Sequence, residues 1–164
     1  MQKHPFRFLI ITAIIIVLDQ VTKILVRHYM SDMSISVIGD FFKLTHVQNP
    51  GGAFSLSFGS GVINKIVFTI APIIMTFVIL IMLRFAKSRY EKISFSLILG
   101  GAVGNLIDRL VLGSVTDFFD VEFFNIFGLE RWPVFNIADS SIVVSVVILL
   151  FYTIFIEGRK KNVS

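Results

Sequence analysis

The chain has 164 residues, of which 55% are hydrophobic and only 16% charged, with a mean hydropathy of +0.84. That balance excludes a water-soluble globular domain and places the chain in a membrane. The net charge of +4 follows from the loop asymmetry described below and gives no reason to expect a nucleic-acid partner, and the absence of cysteine excludes disulfides and thiolate-bound metals.

Four apolar segments, residues 6–26, 62–83, 93–112 and 137–156, approach the roughly 20 residues needed to cross the hydrocarbon core. The fold class expected is an all-α integral membrane protein. One membrane domain covers residues 1–164, with four spans bundled together and long loops over 27–61 and 113–136. The first span follows Lys3 and Arg7 like a secretory signal, but no small-residue cleavage pattern comes after its apolar run. Asp19-Gln20-Val21-Thr22-Lys23 comes instead, which marks a retained span. Asp19 lies about seven residues, or ~10 Å, from the end of this span. Lys23 is at i+4, the favourable order for an ion pair, and taken alone the two residues are a self-neutralising pair.

The first long loop is rich in β-branched and aromatic residues over 36–49, with Gly39-Asp40 as a turn and Asn49-Pro50-Gly51-Gly52 closing the run. That pattern predicts a small sheet lying over the membrane. Pro72 interrupts span two and predicts a kink, which membrane helices tolerate. In span three Gly100 and Gly104 form a G-x-x-x-G pair suited to close helix packing. Gly101, Asn105 and Asp108 form a helical stripe with Arg109 beside it, and Leu99, Leu106 and Leu110 are expected to face lipid. Asp108-Arg109 reads as a structural pair, though an Arg here is also suited to holding a carbonyl or phosphate oxygen.

The second long loop carries Phe118, Phe119, Phe123, Phe124, Phe127 and Trp132, as a segment resting in the headgroup zone would. It also holds Asp117 and Asp120, between which spacing does not choose. Span four begins with Asn136-Ile137-Ala138-Asp139, a capping box with Asp at its third helical position, where the helix dipole favours an acid in any case.

Lys3 and Arg7, then Arg84, Lys87, Arg89 and Lys92, then Arg159, Lys160 and Lys161 all fall on one side of the membrane, against only Arg27, Lys43 and Arg131 opposite. Both termini are therefore expected in the cytoplasm and both long loops outside. This threading brings Asp19, Asp108, Asp117 and Asp139 to one outer level. A charged acid near hydrocarbon costs ~2.5–3.5 kcal/mol at a helix centre, so their convergence points to function. Two carboxyls held close keep one proton between them. One can then take a proton from water while the other polarises a peptide carbonyl.

A zinc protease finds no H-E-x-x-H, and a serine hydrolase no G-x-S-x-G. A Ser–Lys dyad has no residue pattern that singles it out. A proton- or cation-coupled transporter is the main competing reading, against which stand the clustering of the acids at one rim and the lack of an inverted repeat. A purely structural assembly protein is a third.

Five blocks occur in order: Asp19-Gln20-Val21-Thr22-Lys23; Asn49-Pro50-Gly51-Gly52-Ala53-Phe54; Gly100-Gly101-Ala102-Val103-Gly104-Asn105-Leu106-Ile107-Asp108-Arg109; Val115-Thr116-Asp117-Phe118; and Phe135-Asn136-Ile137-Ala138-Asp139-Ser140. With them the chain resembles, over essentially its whole length, the bacterial lipoprotein signal peptidase family, signal peptidase II. The resemblance implies a membrane aspartyl endopeptidase without metal or other cofactor. It would cleave a prolipoprotein before its diacylglyceryl-modified cysteine, with Asp117 and Asp139 as the catalytic pair. Asp19, Lys23, Asn49, Asn105, Arg109 and Asn136 would bind substrate or brace the site. It further implies a monomer in the bacterial cytoplasmic (inner) membrane, with the active site at its outer face, in contact with membrane lipid and inhibited by globomycin-like cyclic peptides. One departure stands out: the family's Asn-x-Gly-Ala-Ala-Phe has Gly52 in place of the first Ala and Pro50 at the variable position. Pro50 stiffens the loop and Gly52 loosens it, so its opening behaviour is expected to differ.

Overall fold

Four helices in the computed structural model are long and apolar enough to cross a membrane; the structure describes residues 5–31, 33–51, 61–126 and 129–157. Helix α1 (Leu9–Tyr29) follows a short 3-10 turn, Pro5–Phe8, and α2 spans Gly61–Phe85. Helix α3 covers Arg89–Leu112, and α4 (Ile137–Phe151) runs on into a π-helical turn, Tyr152–Glu157. Helix α3 is the central element and packs against each of the other three. The bundle turns much apolar surface outward and buries polar groups beside its apolar clusters: Ile10, Val17, Phe77, Ile81, Val143 and Val147 are exposed, while Asp19, Lys23, Asn105, Asp108 and Ser145 are buried. Polar groups that face inward among helices mark a working interior.

Helix ends follow from capping more than from hydropathy. α3 starts at Arg89, four residues before the expected 93, because Ser88 and Glu91 form a capping box that outweighs the charge of Arg89 and Lys92. It stops at Gly113, whose φ of +78° suits glycine and whose N–H donates to the Arg109 carbonyl. α1 continues to Tyr29, beyond the expected 26, and takes Arg27 into the helix within 3.4 Å of Asp108. α2 stays helical through Pro72.

Gly100 and Gly104 face α1: a Cβ would sit 2.7 Å from the Cβ of Ile15 at the first and 2.6 Å from Oδ2 of Asp19 at the second. Gly101 faces α4 and would press a Cβ on the Ala138 carbonyl oxygen. The G-x-x-x-G pair therefore does the close packing expected of it, and its neighbour admits the first turn of α4. Leu99 departs from expectation. It is buried with Ile79, Leu83 and Phe95, because α2 covers that side of α3, while Leu110 does face outward.

The connections α1–α2 and α3–α4 lie at one end of the bundle and form an antiparallel sheet in the order β1-β2-β3-β4, with β1 at Ser34–Ile38, β2 at Phe42–Asn49, β3 at Val115–Ile126 and β4 at Leu129–Arg131. The predicted turn holds Gly39 at φ +48°, and β2 ends at Asn49 as its sequence indicated. The second connection is more regular than its aromatic composition alone indicated. It is strand β3, paired with both β2 and β4. Its β-branched and aromatic residues suit a pleated surface covered by neighbours: Phe118 is buried beside Val26 and Met30, and Phe119 packs on Phe118 and Phe135 with ring centroids 4.5 and 5.4 Å away. Gly52, Ala53, Phe54, Phe127, Lys3 and the basic cluster at 159–161 lie outside the described residues.

Candidate active site

Where the sheet meets α3 and α4, a cavity of about 550 Å³ is lined by Asn49, Asn105, Arg109, Asp117, Trp132 and Asp139 among others. Asp117 is the third residue of β3, and Asp139 comes from the first turn of α4. The capping box at Asn136 is present: Asn136 Oδ1 accepts the Asp139 N–H at 2.9 Å, and Asp139 Oδ2 accepts the Asn136 N–H at 3.2 Å. A carboxylate has two oxygens, so Asp139 serves the helix with one and keeps Oδ1 for the cavity side.

Three asparagines hold the pair, and each amide has its orientation fixed by another bond. Asn136 has its oxygen committed to the Asp139 N–H, so its Nδ2 donates to Asp117 Oδ1 at 2.7 Å and to Asn105 Oδ1 at 3.0 Å. Asn105 Oδ1 also accepts from Lys23 Nζ at 2.8 Å. Since an ammonium can only donate, Asn105 must turn its Nδ2 to Asp139 Oδ1, at 2.8 Å. Asn49 accepts the Gly51 N–H on Oδ1 and gives Nδ2 to Asp117 Oδ2 at 3.1 Å. Each carboxyl group is thus gripped on both oxygens. Burial, reinforced by the charge of Asp139, pushes the Asp117 carboxyl up to about 6, against the opposing amide donors of Asn49 and Asn136 and the charge of Lys23.

Asp120, the alternative that spacing left open, lies three residues on and so points to the other face of β3. Its carboxylate is bound to Arg131 at 2.6 Å and accepts from Thr45 at 3.2 Å. The geometry separates the two acids. Asp108 does not pair with Arg109 as a structural unit. It faces α1, with Lys23 Nζ at 3.6 Å and Arg27 Nη1 at 3.4 Å, and accepts the Thr116 N–H at 2.9 Å. Arg109 is left to border the cavity.

Beneath the cavity Asp19 and Lys23 form the expected ion pair at 2.8 Å, both fully buried. Asp19 Oδ1 also accepts the Ala138 N–H at 2.9 Å. Three participants escaped the sequence reading. Gln20 donates toward Asp19 and Asp108 and to the Gly104 carbonyl, Arg27 reaches Asp108 and Thr116, and Thr116 supplies the amide bound by Asp108. Arg27 was findable, because it extends the Asp19 and Lys23 stripe by one more i+4 step. Thr116 carries no such signal.

The model for the family described as signal peptidase (SPase) II matches residues 11–155. A lipoprotein signal peptidase of Borrelia hermsii is 41% identical over 155 residues, covering 91% of this chain and 90% of its own length. One of Borreliella burgdorferi (strain B31) is 41% identical over 167 residues, covering 98% and 96%. Among solved structures, a bacterial membrane enzyme determined in meso at 1.9 Å resolution is 31% identical with a TM-score of 0.77, over 92% of this chain and 94% of that one. Another, at 2.3 Å, is 29% identical with a TM-score of 0.78, over 90% and 87%. With the five sequence blocks, the four-helix bundle and these relatives in agreement, the chain belongs to the signal peptidase II family of membrane proteases.

Proposed function

We propose that this protein is an aspartyl endopeptidase that removes the signal peptide of prolipoproteins, cutting before the diacylglyceryl-modified cysteine with Asp117 and Asp139. One observation carries this reading: two carboxyls on one cavity, each held on both oxygens by fixed donors, with Asp117 raised to about 6 by burial and its neighbour's charge. Such a pair retains a proton close to neutrality. The ionised member takes a proton from water as it attacks the scissile carbonyl, and the protonated member hydrogen-bonds the carbonyl oxygen. On collapse the first member returns its proton to the leaving amine. Arg109 offers planar donors to a substrate carbonyl beside the reacting bond. Asp19 and Lys23 brace, and Asn49, Asn105 and Asn136 orient.

The cavity's wall includes Ile142 and Val143 of α4, and Val143 is on the lipid-facing surface. A diacylglyceryl substrate can therefore keep its acyl chains in the bilayer while the peptide reaches the acids. The sheet roofs the site and limits bulk water. Arg84, Lys87 and Arg89 lie at the bundle's other end, which supports a cytoplasmic position for that end and an outer-face site in a bacterial inner membrane. A globomycin-like cyclic peptide would occupy the same cavity, and one chain supplies every proposed site residue.

The pH profile of kcat/KM on a diacylglyceryl-modified precursor tests the dyad. The active free enzyme holds one shared proton, and ionisation of the pair removes it. Activity is therefore expected to fall tenfold per pH unit on the alkaline side, starting near the pKa of about 6. A flat profile from pH 5 to 9 would count against a shared-proton mechanism.

A further inference from the structure

α1 contributes none of the cavity's lining residues, yet one of its acids, together with a second acid from α3, reaches the backbone beside each half of the proposed catalytic pair. Asp19 accepts the N–H of Ala138, the residue before Asp139, at 2.9 Å. Asp108 accepts the N–H of Thr116, the residue before Asp117, also at 2.9 Å. The two anchors are tied together by Lys23, 2.8 Å from Asp19 and 3.6 Å from Asp108, and again by Gln20, whose Nε2 lies 3.2 Å from one and 3.3 Å from the other.

We propose that Asp19, Lys23 and Asp108 act as positioning residues that set the separation of Asp117 and Asp139, each acid holding the N–H of the residue before one member of the pair. This deepens the reading of Asp117 and Asp139 as catalytic and rests on it. Thr116 lies in β3 and Ala138 in α4, whose regular φ and ψ fix the direction of the step of ~3.8 Å to the next Cα, so pinning either N–H limits where the following acid can sit. An acid is suited to the task because it accepts a backbone N–H while its negative charge balances the buried Lys23 ammonium, which a neutral amide side chain does not do. β3 and the lead-in to α4 are already tied directly, by Asn136 Nδ2 to Asp117 Oδ1 and by the backbone pairing of Phe119 with Phe135, and the anchors act on the opposite side of each acid. The buried ion cluster gives them one reference point, shared by α1 and α3.

Asp19→Leu and Asp108→Leu keep the branching of the side chain but replace both acceptor oxygens by bulkier methyl groups, while Asp19→Asn and Asp108→Asn keep one acceptor oxygen at nearly unchanged volume. A misplacement of about 1 Å can cost about a hundredfold in rate, so each Leu variant is expected to lose kcat on that order with KM nearly unchanged. Each Asn variant should keep substantially more. Amide hydrogen exchange gives a readout independent of activity. Asp108→Leu should speed exchange at Thr116 but not at Ala138, Asp19→Leu should do the reverse, and the Asn variants should show smaller effects at the same sites. Where a Leu variant does not fold, the site-selective change in its Asn counterpart decides. Equal loosening of both amides in every variant, or no change at either, overturns the proposal. Failure of the wild-type protein to cut the precursor overturns the functional reading instead, and the exchange pattern still decides the positioning role.

Discussion

Asp117→Asn and Asp139→Asn are each expected to lower kcat for cleavage of a lipidated precursor by about 10³-fold or more, near the upper end of what a positioned acid or base supplies. Neither should do so by unfolding. Asn is nearly isosteric with Asp, and at position 117 the charge is itself a burden on the fold. The Asp117 carboxyl is raised to about 6, so the folded state favours its protonated form. Its contribution to stability is fully present below the ordinary value of 3.8, and is lost as pH rises through about 6. At neutral pH this amounts to a penalty of up to about 3 kcal/mol. Asp117→Asn removes that penalty, and gives back on the order of 1 kcal/mol because its Nδ2, a donor only, would face the amide donor of Asn49 or Asn136. The expected result is an inactive protein at least as stable as wild type at pH 7, with a flatter stability profile between pH 4 and 7, measured by unfolding in detergent. An inactive variant that is also strongly destabilised would assign Asp117 to structure instead.

The largest expected loss of stability is at Lys23. The Lys23→Met substitution keeps the length of the side chain but leaves two buried carboxylates, Asp19 and Asp108, without their shared cation. It also frees Asn105 Oδ1 from the donor that orients it. Breaking a buried ion pair from one side costs about 3–5 kcal/mol, because the surviving charge stays buried. Removing the charges together costs far less. The triple variant Asp19→Asn, Lys23→Met, Asp108→Asn is therefore expected to recover most of the lost unfolding free energy. A Lys23→Met protein within about 1 kcal/mol of wild type, below the range expected for a buried pair, would show that the cluster is better solvated than its burial indicates.

The helices and most of the polar interior could be read from the chain because their signals are local. The Asp19 and Lys23 spacing, the Asn136 to Asp139 box and the Gly100 and Gly104 pair each act over four residues or fewer. The choice between Asp117 and Asp120 was not local. It depends on which face of β3 meets the cavity, set by pairing with β2 some 70 residues earlier, where Val47 lies opposite Asp117 and Lys43 opposite Asp120. Only the family resemblance singled out Asp117, and the strand geometry gives the physical reason. Leu99 was misread for the same cause, since a helix's own periodicity does not say which of its apolar faces meets another helix and which meets lipid. The aromatic stretch after α3 did not announce itself as a strand, because its pairing partner β2 lies some 70 residues earlier. The tie from Asp108 to the Thr116 amide lay beyond sequence reasoning altogether, because a backbone N–H leaves no mark in the chain.

The most direct measurement is intact-mass analysis of a diacylglyceryl-modified precursor after incubation with the purified protein, beside the same precursor with an unmodified cysteine and beside the Asp117→Asn and Asp139→Asn proteins. The expected outcome is one new N-terminus at the lipidated cysteine with wild type, blocked by a globomycin-like cyclic peptide, and intact precursor in the other arms. Cleavage elsewhere, equal cleavage of the unmodified precursor, or undiminished cleavage by either variant would contradict a lipid-directed peptidase built on these two aspartates.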